Sequence, residues 1–359
     1  MTAGRDGAML RDVRRQPAVH ARLLARAPEL RGFAREHLVP DPGGALWATG
    51  CGDGWFAARA AAALAGGGPH PYRPRAALPF LVYDVPAVGP ADRVLVISMS
   101  GNVDRSVEAA EAALARGAQA ALLTNGDGGR AGALGIPRVS LEIEAIAPFL
   151  CGTTSYTASV LALALALGPE GTVDAAKRLA SGLEACLDAA EPVVRDLARA
   201  YTGVRFLSSG ATLATADYGA AKLVELTRLP AWSDDIEEFA HRQFWNADPG
   251  ELVVYLAANP GIARFADESA RALAGMGFAT LGVETEGNEL PSTAHRVALP
   301  RVEEALSPLP LTLPLQLLAL HLARATGLDP DTRAHLKDDG KRFETSRRLT
   351  RRSLLGTGA

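Results

Sequence analysis

Short apolar runs ending in Gly, Ser or Asn and leading into helix-like patterns recur along the chain, the signature of βαβ units. Ala45–Thr49 runs into Gly50-Cys51-Gly52-Asp53-Gly54, and Val204–Leu207 runs into Ser208-Ser209-Gly210-Ala211-Thr212. Placing Gly52 on Gly210 defines an offset of 158 residues (210 − 52). The same shift, without a gap, puts Val94–Ile97 on Leu252–Tyr255, Ala121–Thr124 on Ala279–Gly282 and Arg138–Leu141 on Arg296–Leu299. It also puts a helix opening at Thr154 on one opening at Thr312. One constant shift that aligns four strand candidates and a helix predicts a tandem duplication.

Each copy reads as an α/β unit, a mostly parallel, doubly wound sheet with helices on both faces. Runs such as Val94–Ile97 are near-continuous because parallel strands are covered on both sides. The predicted divisions are a helical lead-in over 1–37, the first copy over 38–171, and a helical linker over 172–201. The second copy covers 202–330, and a C-terminal segment and tail covers 331–359.

Composition narrows the picture. With 48% hydrophobic and 21% charged residues, the 359-residue chain is globular in type, and a net charge of −3 gives no sign of a nucleic-acid or membrane partner. Cys51, Cys151 and Cys186 are too few and too scattered for a disulfide framework or a metal site. No cofactor is implied. The N-terminus lacks an apolar signal segment, and the apolar run Val160–Leu167 is far below the ~20 residues that span a bilayer, so a cytoplasmic setting is expected. The basic stretch Arg347–Arg352, near Gly356 and Gly358, reads as a solvated tail.

In doubly wound sheets, ligands sit beyond the carboxyl ends of the strands, where the strand order reverses. The loops to inspect are therefore 50–54, 98–104, 208–212 and 257–261. Ser98-Met99-Ser100-Gly101-Asn102-Val103-Asp104 follows a strand and opens a helix, so backbone N–H groups, the helix dipole and two hydroxyls make it an anion site. Plain helix capping is the alternative. The matching Ala257-Ala258-Asn259-Pro260-Gly261 lacks the hydroxyls, so the first copy is expected to hold the anion. The glycine-rich turn 50–54, with Asp84 ending the next strand, also suggests a dinucleotide site or a methyltransferase, but neither explains the repeat.

Several segments then resemble one family, the double sugar-isomerase (SIS) domain proteins. Met9–Pro17 resembles the family's lead-in M-x-x-E-I-x-E-Q-P, and Ile97–Asn102 resembles its S-x-S-G-x-T phosphate loop. Leu306–Leu309, Pro314–Leu317 and Gly327–Asp331 are similar to its C-terminal signature. The pattern is nearest to the isomerase half of glutamine–fructose-6-phosphate amidotransferase and to its stand-alone isomerase, deaminase and deglycase relatives. Thr2 stands where the glutaminase nucleophile would be, so glutamine-dependent amination by this chain alone is not expected.

The resemblance implies two tandem three-layer αβα domains with flavodoxin-like sheets. It implies Lys222 and Glu225, in Gly219-Ala-Ala-Lys-Leu-Val-Glu225, as the family's lysine and glutamate base. His241, in Glu237–His241, matches the ring-opening histidine, with Glu238 as the glutamate of the same motif. Lys337 matches the C-terminal active-site lysine. Ser98, Ser100, Gly101, Asn102, Gly52 and Asp53 fall on the substrate- and phosphate-holding loops. The family's histidine comes from the neighbouring subunit, which implies a homodimer.

The chemistry needs such a set. Aldose–ketose isomerisation moves a proton between adjacent carbons, so one carboxylate must take it and return it. A nearby ammonium stabilises enediolate charge, and a histidine exchanges protons near neutrality. The bland alternatives are a surface ion pair of ~0.3 kcal/mol for Lys222–Glu225, a structural histidine at 241 and a solvated Lys337.

Two departures weaken a phosphate tail. Asp53 replaces a hydroxyl in the first loop, and Val103 replaces the threonine of the second. A carboxylate ~4 Å from a phosphate dianion repels it. Asp53 is read as a helix N-cap or as a ligand for sugar hydroxyls. The expected ligand is a sugar or amino sugar, phosphorylated or not, and the expected activity is that of an isomerase, with or without deamination. A non-catalytic sugar-phosphate-binding regulator is the alternative.

Overall fold

The computed structural model describes residues 7–351 and 353. Thr2, Arg352, Gly356 and Gly358 lie outside them. The chain divides into two compact units, each carrying one sheet.

The first-sheet unit draws on residues 19–144, 155–174 and the described residues from 336 on. Its strands are β1 (Leu46–Gly50), β2 (Tyr72–Ala76), β3 (Arg93–Ile97), β4 (Gln119–Thr124) and β5 (Arg138–Ser140). They pair in the order β2-β1-β3-β4-β5, every ladder parallel. That is the flavodoxin-like order, whose reversal lies between β1 and β3. Central β1 and β3 are buried throughout, whereas β2 alternates and carries Pro74, which only an edge strand tolerates.

The second-sheet unit draws on residues 7–18, 145–154 and 175–335. Its strands are β6 (Val204–Ser208), β7 (Ala231–Asp235), β8 (Leu252–Ala257), β9 (Ala279–Thr285) and β10 (His295–Leu299). The order β10-β9-β8-β6-β7 repeats the first sheet strand for strand. The helix Pro308–Ala325 packs into this core with Leu183–Leu197, and residues 308–323 are all buried. By length and composition Glu304–Ala325 could cross a membrane, but 94% of its apolar window is buried inside the protein.

The ladders correct the gap-free offset. With Leu46 placed on Val204 (offset 158), registers carry Arg93 onto Leu252 (159), Gln119 onto Ala279 (160) and Arg138 onto Arg296 (158). The slips, one residue at β3/β8 and two at β4/β9, fall in strands buried on both faces, where apolar patterning does not fix the register. The loop after the first strand keeps the offset: Gly52 and Gly210 both have positive φ, 52° and 64°.

Three further expectations change. The helix expected at Thr312 begins a turn earlier, with Pro308 at its first position, where a missing N–H costs nothing. Asp84 does not end a strand: β2 stops at Ala76, and Asp84 closes a short helical segment, Phe80–Asp84, with Arg75 at 3.1 Å. That removes the acidic residue on which a dinucleotide site depends. Arg347 and Arg348 lie in the last turn of a helix, Gly340–Thr350, none of whose residues is buried.

Candidate functional site

In the first-sheet unit, the loop after β3 is held by its own backbone. Ser98 N–H donates to Leu123 O, and Gly101 N–H turns back to Ser98 O. Gly101 has φ +61°, and a Cβ there would stand 1.6 Å from Gly128 O, so this turn accepts only glycine. Asn102 donates to Ser100 O at 2.8 Å and accepts from Arg130 N–H at 3.1 Å.

The helix Asp104–Ala115 that follows has Val103 as N-cap and no side-chain cap. Ser98, Ser100 and Asn102 therefore do not cap it, contrary to the plain-capping alternative. Gly52 is likewise the N-cap of Asp53–Ala60, so Asp53 is the first helical residue rather than the cap. Both helix starts carry a carboxylate where the dipole favours one. Asp104 is buried and paired with Arg130, a cation beside the loop that sequence reasoning passed over. Burial raises the Cys51 thiol above its ordinary value, with Ser106 and Arg105 opposing, which disfavours a thiolate in this loop.

In the second-sheet unit, the corresponding turn is filled. Asn259 caps Pro260–Gly275, accepting from Gly261 N–H at 2.9 Å, and donates to Glu304 at 2.8 Å. A Cβ on Gly210 would lie 3.5 Å from the same Glu304 carboxylate. Ser209 hydroxyl bonds Asp235 at 2.5 Å, and Ser208 bonds Thr212 beneath it.

The helix Leu213–Thr227 rises from this turn and brings Lys222 and Glu225 to one face. Lys222 is 2% exposed, its ammonium 2.9 Å from Glu225 Oε1 and 5.3 Å from the Tyr218 ring centroid. Desolvation of this kind is not that of a surface pair. Tyr218 is fixed in turn, donating to Gly152 O and accepting from Gln316, which is bonded to Gln16.

Glu225 keeps 37% of its side chain exposed, and its Oε2 meets Arg333 at 3.3 Å. His335 Nε2 lies 3.2 Å from the Glu225 carbonyl oxygen. Arg333 also donates from Nε to Phe149 O at 2.8 Å, with its guanidinium 4.6 Å from the Phe149 ring centroid. Arg333 and Phe149 both have left-handed backbones, φ 48° and 67°. Such non-glycine conformations cost about 1–3 kcal/mol each and gather at functional sites. The result is a solvent-reaching carboxylate braced by one buried and one half-buried cation. Sequence reasoning missed Arg333, His335 and Phe149.

His241 is not among the contacts of Glu225. It ends the helix Ile236–His241, is 68% exposed in its side chain, and pairs with Glu237 at 3.0 Å. Glu238 is exposed and 3.9 Å from Arg242. Buried Arg205 anchors the chain that follows, bonding Glu251, Gln243 and Asn246 while stacked 4.5 Å from the Trp232 ring centroid. Lys337 is exposed, two residues beyond buried His335. The described residues contain no cluster of His, Cys, Asp or Glu able to hold a metal ion.

No family model matches the chain. It is 28% identical over 278 residues to glutamine–fructose-6-phosphate aminotransferase (isomerizing) of Caulobacter vibrioides, and 30% identical over 279 residues to that of Gloeobacter violaceus. Each alignment covers 69% of this chain and 44% of the relative, so the chain spans about half the length of these relatives. Among solved structures, tagatose-6-phosphate ketose/aldose isomerase from Escherichia coli superposes with a TM-score of 0.75 at 21% identity. That match covers 90% of this chain and 95% of the other and establishes the shared fold.

Proposed function

We propose that this chain, which belongs to the double sugar-isomerase domain family, catalyses aldose–ketose isomerisation of a sugar phosphate or amino-sugar phosphate. The observation that carries the reading is the Glu225 carboxylate, open to solvent yet held by Lys222 on one oxygen and Arg333 on the other. A carboxylate so fixed takes a proton from the carbon next to the sugar's carbonyl, leaving an enediolate, and returns it to the adjacent carbon. The Lys222 ammonium supplies charge against the enediolate, in a setting that excludes water from its own side.

Ser98, Ser100, Gly101 and Asn102 hold the substrate's anionic tail, with Gly52 and Asp53 facing the sugar hydroxyls. The uncapped start of Asp104–Ala115 supports that assignment. His241, exposed and oriented by Glu237, opens the sugar ring, and a homodimer brings it to the partner's Glu225. Glu238 and Lys337 complete the set. The name of the Escherichia coli neighbour, a ketose/aldose isomerase, agrees with this reaction class. The names of the curated relatives add transfer of an amino group, which supports including deamination of amino sugars in the proposal.

The test is deuterium uptake in D₂O, followed by NMR over a panel of hexose, hexosamine and fructosamine substrates with and without phosphate. Deuterium at C1 or C2 that disappears in Glu225→Gln supports the reading. Uptake unchanged by that substitution overturns the base assignment, and tight binding without any uptake replaces the enzyme by a sugar-binding regulator.

A further inference from the structure

Beyond the catalytic helix, the second-sheet unit contains a cavity of about 520 Å³, well within the range of small-molecule sites. Two sequence-distant segments build it: the paired helices Thr172–Ala180 and Leu183–Leu197, and the stretch 300–306 that follows β10. Its lining divides by chemistry. Leu179, Val302, Leu306 and the buried Cys186 are apolar, while Arg178 and Arg301 supply the positive charge.

That charge is poorly answered within the fold. Arg178 reaches Glu303 only at 3.8 Å with both side chains largely exposed, a pair worth little and easily exchanged. Arg301 makes no ion pair among the described residues. An apolar floor beneath two under-used guanidiniums fits a ligand with an apolar body and a single acidic group, because guanidinium pairs carboxylates, sulfonates and phosphates through two parallel hydrogen bonds. We propose that this cavity is a binding site for a small amphipathic organic anion, separate from the residues around Glu225.

The cavity wall also touches the divergence of the duplicated loops. Glu303 lines the cavity, and its neighbour Glu304 is the carboxylate that bonds Asn259 and stands over Gly210. The helix bearing Lys222 and Glu225 starts three residues after Gly210. An anion that draws Arg178 from Glu303 thus acts on the stretch that closes this turn. The site itself does not depend on the isomerase reading.

The probe is 1-anilinonaphthalene-8-sulfonate, an amphipathic anion whose fluorescence rises in apolar surroundings, titrated into the whole chain. The expected result is saturable one-to-one binding that weakens at least tenfold in the double variant Arg178→Gln, Arg301→Gln. These are exposed side chains whose loss leaves the core untouched. A second readout locates the site: each single variant, Arg178→Gln or Arg301→Gln, weakens binding at least threefold, whereas Arg264→Gln, an exposed arginine outside the cavity lining, leaves it unchanged. Binding that is undiminished in the double variant, or that falls equally in Arg264→Gln, overturns the proposal. Absence of saturable binding does so as well. None of these outcomes bears on deuterium uptake, so the isomerase reading stands or falls on its own experiment.

Discussion

The loop after β3 and the loop after β8 occupy the same place in two sheets of the same strand order, yet they are finished differently. The first is held by its backbone and a left-handed glycine, and leaves the helix start without a side-chain cap. The second is closed twice, by Asn259 on the helix N–H groups and by Glu304 on Asn259. Duplication supplied two equivalent helix starts beyond the ends of the third strands, a position suited to an anion. In the second sheet the chain's own side chains fill that position, beside the helix that carries Lys222 and Glu225.

The sharpest way to break this comparison is at the acting side. Glu225→Gln keeps the shape and, through its amide oxygen, one of the two hydrogen bonds to Lys222 and Arg333, but removes the proton acceptor. Deuterium uptake is expected to fall by about 10²–10⁴-fold, the usual contribution of a positioned acid–base group, with circular dichroism unchanged. Equivalent substitutions in the filled loop, such as Glu304→Gln, are expected to leave uptake within a few-fold of the parent. Equal losses from both would erase the division between the halves.

The next test is steric. Gly101→Ala forces a Cβ toward Gly128 O, 1.6 Å away, at φ +61°, and the backbone must move. A loss of about 2–4 kcal/mol is expected from urea unfolding. Gly261 in the filled loop has ordinary φ, and an added Cβ meets only Asn259 Oδ1 at 3.2 Å. Gly261→Ala should change stability by less than about 1 kcal/mol, since alanine's helix preference offsets the close contact. If the two variants unfold alike, the first loop is not held as described.

Acid distinguishes the two units in a third way. His20, in the first-sheet unit, is 1% exposed with its Nε2 unbonded among the described residues, and burial lowers it to about 4. The unfolded chain, titrating near 6.5, binds the proton that the folded chain refuses. Stability is therefore full above about pH 6.5 and falls as pH drops toward 4, by up to about 3 kcal/mol from this residue. His321, in the second-sheet unit, is also lowered by burial, but Glu191 at 3.7 Å pulls the other way. Urea unfolding at pH 7 and pH 4.5 should show the loss, and His20→Leu should remove most of it. A loss that survives in His20→Leu assigns the acid sensitivity elsewhere.

How much of this was legible in the sequence follows the same physics. The strands and their duplication were, because buried runs such as Val94–Ile97 and Leu252–Tyr255 need continuous apolar stretches. Their register was not, because a strand covered on both faces loses the alternation that marks a slip. Lys222 and Glu225 could be paired from their spacing on one helix. Arg333 and Phe149 could not, since nothing local announces a left-handed backbone at an arginine or a phenylalanine. Glu304 was equally hidden: its contact with Asn259 spans 45 residues and depends on where the stretch after β10 returns.

The smallest expected effect sharpens the comparison most directly, because it exchanges the two finishes. Asn259→Ala removes a cap that accepts from Gly261 N–H at 2.9 Å and from Ile262 N–H at 3.4 Å, and should destabilise the chain by about 1 kcal/mol. Val103 sits at the same cap position of the other helix, in the extended conformation a capping residue needs, φ −76° and ψ 119°. Val103→Asn should therefore stabilise by about 0.5–1 kcal/mol, since a side-chain oxygen then reaches N–H groups that no side chain now caps. The same substitution should weaken binding of any anion that relies on those groups, read as a rise in KM for phosphorylated substrates with kcat little changed. Stabilisation without that rise would mean the N–H groups at this helix start are not what the ligand contacts, and the anion would then have to be held by Ser98 and Ser100 alone.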